Sequence, residues 1–328
     1  DVVGALISVV MFVTLVFGLI EGRTYGWWLV NNQFVIGDFK WADSGLSPIP
    51  VALGISVVAT VLFVLWERMR ARQQKSVLLD LDLFKIVSFR NGSIAAMIIS
   101  MGEFGVIFAL PLWLQNVEGL SAVNSGLVLL WLALGAFMAS GAAGGLSGKI
   151  APAVAVRFGV LLELVGVIAS ALAIGADAGW GWVAPGLLIY GIGVGFATAQ
   201  LTGVIMLDVP QEKAGQASGS QSTVRQIGSA LGIAVIGTTL FSATDLITKA
   251  KLTDLGVPDQ AQQGIVDAVV ESAGGAIPGL PANIGDAAGQ AFSQGAMWAA
   301  FAAALFLLVG LVSTFRLTSR NHAEGQHN

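Results

Sequence analysis

A single carboxylate interrupts one of the most apolar stretches of the sequence. Glu103 lies in the run Ser-Met-Gly-Glu-Phe-Gly-Val-Ile-Phe-Ala-Leu-Pro-Leu-Trp-Leu, which covers residues 100–114. An ionisable side chain near the centre of a membrane span is costly, so such residues usually face a protein interior or a water-filled cavity and serve a function. Glu103 is therefore a candidate for recognising a proton or a cation. The alternative is a protonated or paired glutamate that only joins helices.

Other candidates for a proton or substrate site are polar or aromatic residues within apolar runs. Helical spacing places Ser100 on the same face as Glu103. Aromatic rings attract lipophilic cations, and Gln200 could donate a hydrogen bond to a ligand, although polar side chains in spans also bond neighbouring helices. The candidates besides Glu103 are Ser100, Phe104, Phe108, Trp131 and Gln200. Trp113, near a span end, is expected to anchor at the membrane interface instead.

Two further charged residues stand in or beside apolar runs. Glu163 lies near the middle of a second run, where we interpret it as a structural residue that pairs with a neighbouring helix. Arg225 opens another run, where it could pair with a carboxylate or cap helix carbonyls and so hold one conformation closed. The alternative for Arg225 is ordinary anchoring by a positive charge on the cytoplasmic side.

The sequence lacks the residues that several classes of function require. The chain has no cysteine and two histidines, both in the polar C-terminal tail, and it carries no Ser/His/Asp array, metal cluster or phosphate loop. The Gly-x-Gly-x-Gly at 191–195 stands inside an apolar run without a preceding strand, so we interpret it as a packing surface. We therefore expect no enzyme, no metal and no cofactor. A net charge of −4 gives no reason to expect a nucleic-acid partner.

The composition is that of a membrane protein. Hydrophobic residues make up 55% of the 328 residues, charged residues only 11%, and the mean hydropathy is +0.80. Runs of about 20 apolar residues are long enough to span a bilayer as helices. Small residues in these runs, such as Gly135, Gly141, Gly144 and Gly145, are expected to bring helices close together. The predicted spans are 2–20, 48–66, 92–115, 122–146, 153–174, 183–207, 224–242 and 294–315.

The basic residues give the orientation of these spans, since Lys and Arg near span ends are retained in the cytoplasm. Twelve of the sixteen fall on one face and four on the other. The first face is therefore predicted to be cytoplasmic, with the C-terminus inside and residues 243–293 in a long external segment, partly helical around Gln260 to Glu271. The twelve are Arg68, Arg70, Arg72, Lys75, Lys85, Arg90, Lys149, Arg157, Lys213, Arg225, Arg316 and Arg320; the four are Arg23, Lys40, Lys249 and Lys251.

The stretch 208–234 resembles a known signature. Its sequence is Asp-Val-Pro-Gln-Glu-Lys-Ala-Gly-Gln-Ala-Ser-Gly-Ser-Gln-Ser-Thr-Val-Arg-Gln-Ile-Gly-Ser-Ala-Leu-Gly-Ile-Ala. It is similar to the cytoplasmic turn and following helix of the 14-spanner drug:proton antiporter family of the major facilitator superfamily. The resemblance implies a cytoplasmic gating motif formed by Asp208, Pro210, Gly215, Gly219, Thr223, Arg225 and Gln226.

The resemblance implies a fold as well. The eight spans would correspond to the seventh to fourteenth helices of that family, in an all-α major facilitator fold. Residues 1–75 would form a two-helix linker hairpin, and residues 76–328 the C-terminal six-helix bundle. The N-terminal half of the family, which carries an acidic residue in its first helix, has no counterpart here. Residues 145–149 resemble the cytoplasmic loop of that half only in part, since they lack its Asp. We expect the chain to be a fragment of a longer protein, or alternatively a natural half-transporter.

The function implied by the resemblance is export of lipophilic or cationic drugs, driven by the proton gradient. The expected partners are the missing N-terminal half, a small lipophilic substrate and the lipid of a bacterial inner membrane. The sequence leaves two alternatives open. The chain could export lipids or other endogenous amphiphiles, or it could be a membrane scaffold or sensor subunit that transports nothing.

Overall fold

The computed structural model describes residues 1–73, 75, 77–146, 150–175 and 179–317. Within these residues, eight helices are long and apolar enough to cross a membrane, which confirms the eight predicted spans. Lys149, Arg320 and the histidines, which entered the sequence analysis, lie outside the described residues. The long helices are α1 (Val2–Ile20), α3 (Pro48–Arg72), α4 (Val87–Asn116), α5 (Ala122–Leu146), α6 (Pro152–Gly175), α7 (Trp180–Met206), α8 (Ala214–Asp254) and α10 (Ala282–Thr314).

Short elements connect some of these helices. Helix α2 (Gly22–Tyr25) follows α1, and a two-residue antiparallel pair, β1 (Val35–Ile36) with β2 (Phe39–Lys40), precedes α3. Ser47 caps the start of α3 by accepting a hydrogen bond from the backbone N–H of Ile49, and Pro48 suits the first helical position. A 3-10 turn at Leu81–Lys85 leads into α4.

The described chain divides into two compact units. The first comprises Asp1–Phe89 and Val209–Thr223. In it α1 packs against α3, and the buried Ser56 hydroxyl of α3 donates to the carbonyl oxygen of Met11 at 3.0 Å. The carboxylate of Asp1 caps α1 and also accepts from the indole nitrogen of Trp66, while it forms an ion pair with Arg70 at 3.1 Å. These contacts join the start of α1 to the last turns of α3.

The second unit comprises Arg90–Asp208 and Val224–Asn328. In it α7 packs against both α5 and α6, and α6 packs in turn against α10. A Cβ added to Gly191 would meet the backbone of Leu132 in α5, and one added to Gly193 would meet the backbone of Glu163 in α6. The prediction that the Gly-x-Gly-x-Gly at 191–195 is a packing surface is therefore confirmed.

Three glycines in the second half of α5 do not pack against another described helix, contrary to the prediction. Gly135 packs closely on the backbone of α7, as predicted. A Cβ at Gly141, Gly144 or Gly145 would instead meet no other described atom within 4 Å, apart from its own helix and chain neighbours. The expectation that these three glycines hold helices together is wrong for the described residues, because no facing helix approaches them.

The segment 243–293 is mostly helical. Helix α8 continues beyond its predicted end to Asp254, where Gly256 adopts a positive φ of 73° and Pro258 prevents continuation. Helix α9 (Asp259–Glu271) confirms the predicted helix around residues 260–271, and α10 begins at Ala282, earlier than predicted. A small apolar core of Leu252, Val266 and Val270 packs these parts together. The external placement of this segment stays a prediction.

Candidate functional site

Glu103 lies near the middle of α4 and is nearly inaccessible, with 5% of its surface exposed. Its carboxylate forms an ion pair with Arg225 of α8, with 3.3 Å between the Nη2 and Oε2 atoms. The Glu103 side chain is 6% exposed and that of Arg225 is 29% exposed. A charge buried this deeply requires a partner, and the guanidinium of Arg225 is that partner.

Arg225 makes a second contact on the same face of α4. Its Nε donates to the hydroxyl of the fully buried Ser100 at 3.2 Å. Ser100 and Glu103 are three residues apart, so one planar guanidinium reaches both across adjacent turns. The structure thus brings together three of the residues that the sequence analysis selected.

Tyr190 of α7 completes the surroundings of Glu103. Its side chain is buried, and its hydroxyl donates to the backbone carbonyl oxygen of Glu103 at 3.3 Å. The sequence analysis did not select Tyr190 as a site residue. The available signal was a phenol inside an apolar span, since a buried tyrosine usually finds a partner for its hydroxyl.

Two glycines allow Arg225 to approach Glu103. A Cβ added to Gly228 would collide with the backbone of Met97, and one added to Gly232 would collide with the backbone of Met101. Helices α4 and α8 therefore touch backbone to backbone through a Gly-x-x-x-Gly face, which is a common means of close helix packing in membranes. This contact lies on α8 just after Arg225 and on α4 just before Glu103.

The remaining candidates for substrate contact are dispersed. Phe108 packs against the α8 backbone at Gly237, and Phe104 is partly exposed. Trp131 is 43% exposed and lines a cavity of about 320 Å³ with Trp180 and residues of α5. Gln200 donates to the carbonyl oxygen of Ala143 at 3.3 Å and lines a different, apolar cavity of about 280 Å³. Their roles in substrate binding stay predictions.

The gating motif is largely exposed. Asp208, Pro210, Gly215, Gly219 and Gln226 are exposed, and Thr223 is half-buried. Neighbouring residues of this turn attach it to the segment before α4: Lys213 forms an ion pair with Asp80, and Gln216 donates to the carbonyl oxygen of Val77. Arg225 is the motif residue that reaches a buried carboxylate.

Two side chains are placed differently from their predictions. Trp113 is only 1% exposed, and its indole nitrogen donates to the Ser293 hydroxyl of α10 at 3.0 Å, so its prediction as an interfacial anchor is wrong. Glu163 is fully buried, yet neither carboxylate oxygen has a hydrogen-bond partner among the described residues. The predicted pairing of Glu163 thus has no counterpart in the described contacts.

Comparison with known proteins identifies the family. The family model described as Major Facilitator Superfamily matches residues 47–233, more than half of the chain. The chain belongs to the Major Facilitator Superfamily. It is therefore a multi-pass membrane protein of a transporter superfamily, which supports the expectation that it is not an enzyme. In the part of the chain that the structure describes, no cluster of His, Asp or Glu is suited to hold a metal ion.

Curated relatives in this superfamily carry names that refer to drug resistance and export. The chain is 28% identical to the multidrug resistance protein Stp of Mycobacterium tuberculosis over 85% of its own length and 49% of that protein. It is 28% identical to a probable actinorhodin transporter of Streptomyces coelicolor, over 77% and 41%. It is 29% identical to a tetracycline resistance determinant of Streptomyces rimosus, over 86% and 73%. The chain spans about half the length of the first two of these relatives.

A solved structure supports the superfamily fold. A bacterial homologue of the human lysosomal transporter Spinster, in an inward-facing and occupied conformation, matches with a TM-score of 0.50 and 18% identity. The match covers 81% of this chain and 56% of that structure. At this identity the likeness concerns the fold alone.

Proposed function

We propose that the chain is the C-terminal portion of a proton-coupled exporter of lipophilic or cationic drugs. The names of its relatives support drug export, and the motif at 208–234 supports the 14-spanner drug:proton antiporter type. The chain covers about half of the first two relatives. The resemblance of residues 208–234 to a motif near the C-terminal end of that family would make the eight spans of the chain helices seven to fourteen. An N-terminal half would supply the other wall of the alternating-access cavity.

The proposal also assigns an architecture and a location. Residues 1–75 would form the linker hairpin, and residues 76–328 the C-terminal six-helix bundle with the 243–293 segment outside. The distribution of basic residues supports a cytoplasmic C-terminus, and the bacterial relatives support a bacterial inner membrane. No cofactor is needed, because the proton gradient supplies the energy.

The observation that carries the proposal is the ion pair between Glu103 and Arg225. It links a carboxylate near the middle of α4 to a residue of the gating motif. In this proposal, Arg225, a proton and a cationic substrate compete for the Glu103 carboxylate. Protonation of Glu103 removes its negative charge and with it the attraction for Arg225 or for a bound cation.

This competition couples proton entry to drug release. A proton arriving from outside neutralises Glu103 and displaces a cationic drug, and loss of the proton to the cytoplasm restores the Glu103–Arg225 pair. Helix α8 carries Arg225 within the same continuous helix as Gly215 and Gly219 of the motif. Movement of Arg225 would therefore be transmitted along α8 to the cytoplasmic turn. Phe104 and Phe108, on α4 near Glu103, would offer aromatic surface to the substrate.

Drug accumulation in cells tests this function. The chain is expressed together with an N-terminal half, and export of a fluorescent lipophilic cation is measured for wild type, Glu103→Gln and Glu271→Gln. Glu271 is an exposed carboxylate of α9, so it controls for loss of one carboxylate. At equal expression, we expect Glu103→Gln to abolish export and its dependence on external pH, while Glu271→Gln exports as wild type does.

Other results would favour the alternatives. Full export by Glu103→Gln with an unchanged pH profile would remove Glu103 from the mechanism. Export of labelled lipid without export of drug would indicate an amphiphile exporter. Absence of all flux from a well-folded wild type would indicate a scaffold or sensor subunit.

A further inference from the structure

Glu163 of α6 is a buried carboxyl group with no contact that satisfies it. The residue is fully buried, and both carboxyl oxygens lack a hydrogen-bond partner among the described residues. An ionised carboxylate in such a place is costly, whereas the neutral acid loses much less on burial. In the arrangement that the structure records, this position therefore suits the protonated form.

The sequence makes a specific place for this side chain. Helices α6 and α7 are close enough that a Cβ on Gly193 would meet the Cγ and the backbone nitrogen of Glu163. The same seam continues at Gly166, where a Cβ would meet the backbone of Tyr190. Glu163 therefore lies in the seam between α6 and α7 and not on a lipid-facing surface.

The charges that act on Glu163 come from the candidate functional site. Tyr190 of α7 connects Glu163 to that site: its backbone lies against Gly166 of α6, about one turn from Glu163, and its hydroxyl donates to the backbone carbonyl oxygen of Glu103 at 3.3 Å. Glu103 and Arg225 are close enough for their charges to act on Glu163. The site thus contains two carboxyl groups and one guanidinium. It is electrically neutral when the two carboxyl groups hold one proton between them.

Two other titratable residues stand on α6 and on α10. Arg157, on α6 itself, donates to the carbonyl oxygen of Thr314 and lies over the ring of Phe315. Asp286, the titratable residue of α10, is exposed in the first turns of that helix. Among the residues that the structure describes, Arg225 is the cation that contacts Glu103 and also acts on Glu163.

We infer that Glu163 is a second proton-binding site, which shares one proton with Glu103 while Arg225 pairs with whichever of the two is ionised. The inference rests on the proposed function, to which it adds a proton store beside the coupling pair. In the step itself, the proton leaves a carboxyl oxygen of Glu163 and binds one of Glu103. Glu163 takes up the negative charge and Arg225 turns from Glu103 to Glu163. The net charge of the three groups does not change, so the step avoids creating an unbalanced charge in the membrane.

Infrared spectroscopy of the purified chain tests this sharing without any transport. At about pH 7, exposed carboxylates are ionised, so a carbonyl band of a protonated carboxylic acid that shifts in D2O reports a buried acid. We expect wild type to show one such band. Glu163→Gln should lose it, because Glu103 then stays ionised and paired with Arg225. Glu103→Gln should also lose it, because Arg225 then has only Glu163 to balance and holds that group ionised.

Two further variants complete the test. Glu163→Asp keeps the acid and should keep the band at a shifted frequency, which separates loss of the proton from loss of the fold. The Glu103→Gln/Glu163→Gln double variant gives the baseline. A band that survives in Glu103→Gln would show a neutral glutamate that only packs, and a band that survives in Glu163→Gln would place the proton elsewhere; either result, or no band in wild type, overturns the inference. Absence of drug-coupled transport with the expected bands would contradict only the proposed function.

Discussion

Arg225→Leu is expected to lower the free energy of unfolding by about 3 kcal/mol, because it leaves the buried carboxylate of Glu103 without its partner. This loss is at the lower end of the range for removing one partner of a buried ion pair, because the Arg225 side chain is 29% exposed. Export should be lost as well. Urea or detergent unfolding of the purified chain, followed by tryptophan fluorescence, measures the change.

A double-mutant cycle separates the ion pair from other effects of the leucine. Glu103→Gln/Arg225→Leu removes both charges, so its loss of stability should be smaller than the sum of the two single losses by about 0.5–3 kcal/mol. Arg225→Lys keeps the charge but cannot reproduce a guanidinium that reaches both Ser100 and Glu103. Its stability should lie between wild type and Arg225→Leu. Additive losses in the cycle would show that Glu103 and Arg225 do not interact in the folded protein.

Gly232→Ala is expected to separate α4 from α8 and to abolish export. The added Cβ would collide with the backbone of Met101, and a backbone cannot yield as a flexible side chain can. Overpacking of this kind costs about 1–3 kcal/mol, and the displacement would lengthen the contact between Arg225 and Glu103. The measurements are the free energy of unfolding and drug export at equal expression.

The same helix supplies a matched control. A Cβ at Gly219 meets no other described atom within 4 Å, and Gly219 belongs to the same signature. Gly219→Ala should therefore fold as wild type does or gain slightly, since alanine loses less entropy than glycine on forming a helix. If Gly232→Ala and Gly219→Ala changed the free energy of unfolding equally, close packing of α4 on α8 would not be the reason for Gly232.

The membrane spans were predictable from the sequence because burial in lipid imposes a long apolar run on each helix. The close contacts of Gly135 and of residues 191–195 were predictable for a related reason, since small residues are the means by which such helices approach. The same rule failed for Gly141, Gly144 and Gly145, because composition does not reveal whether a second helix faces a small residue. Helix ends at 254 and 282 were missed because hydropathy marks the membrane and not the helix.

The sequence indicated which residues form the site but not which of them contact each other. Glu103 and Arg225 each stood out as charges in or beside apolar runs, yet they are 122 residues apart and nothing local indicates that they pair. Trp113 illustrates the same limit: an indole near a span end suits an interface, but Ser293 of α10 provides a buried partner instead. Pairing across helices is decided by how the helices pack.

The most direct test of the account is proton movement evoked by drug in proteoliposomes that contain the chain and an N-terminal half. A pH-sensitive dye inside the vesicles follows protons while a lipophilic cation gradient is applied, for wild type and Glu103→Gln. We expect wild type to move protons against the drug and Glu103→Gln to move none, although it folds and inserts into the vesicles as wild type does. Drug-evoked proton movement of wild-type size in Glu103→Gln would contradict the assignment of the Glu103–Arg225 pair as the coupling site.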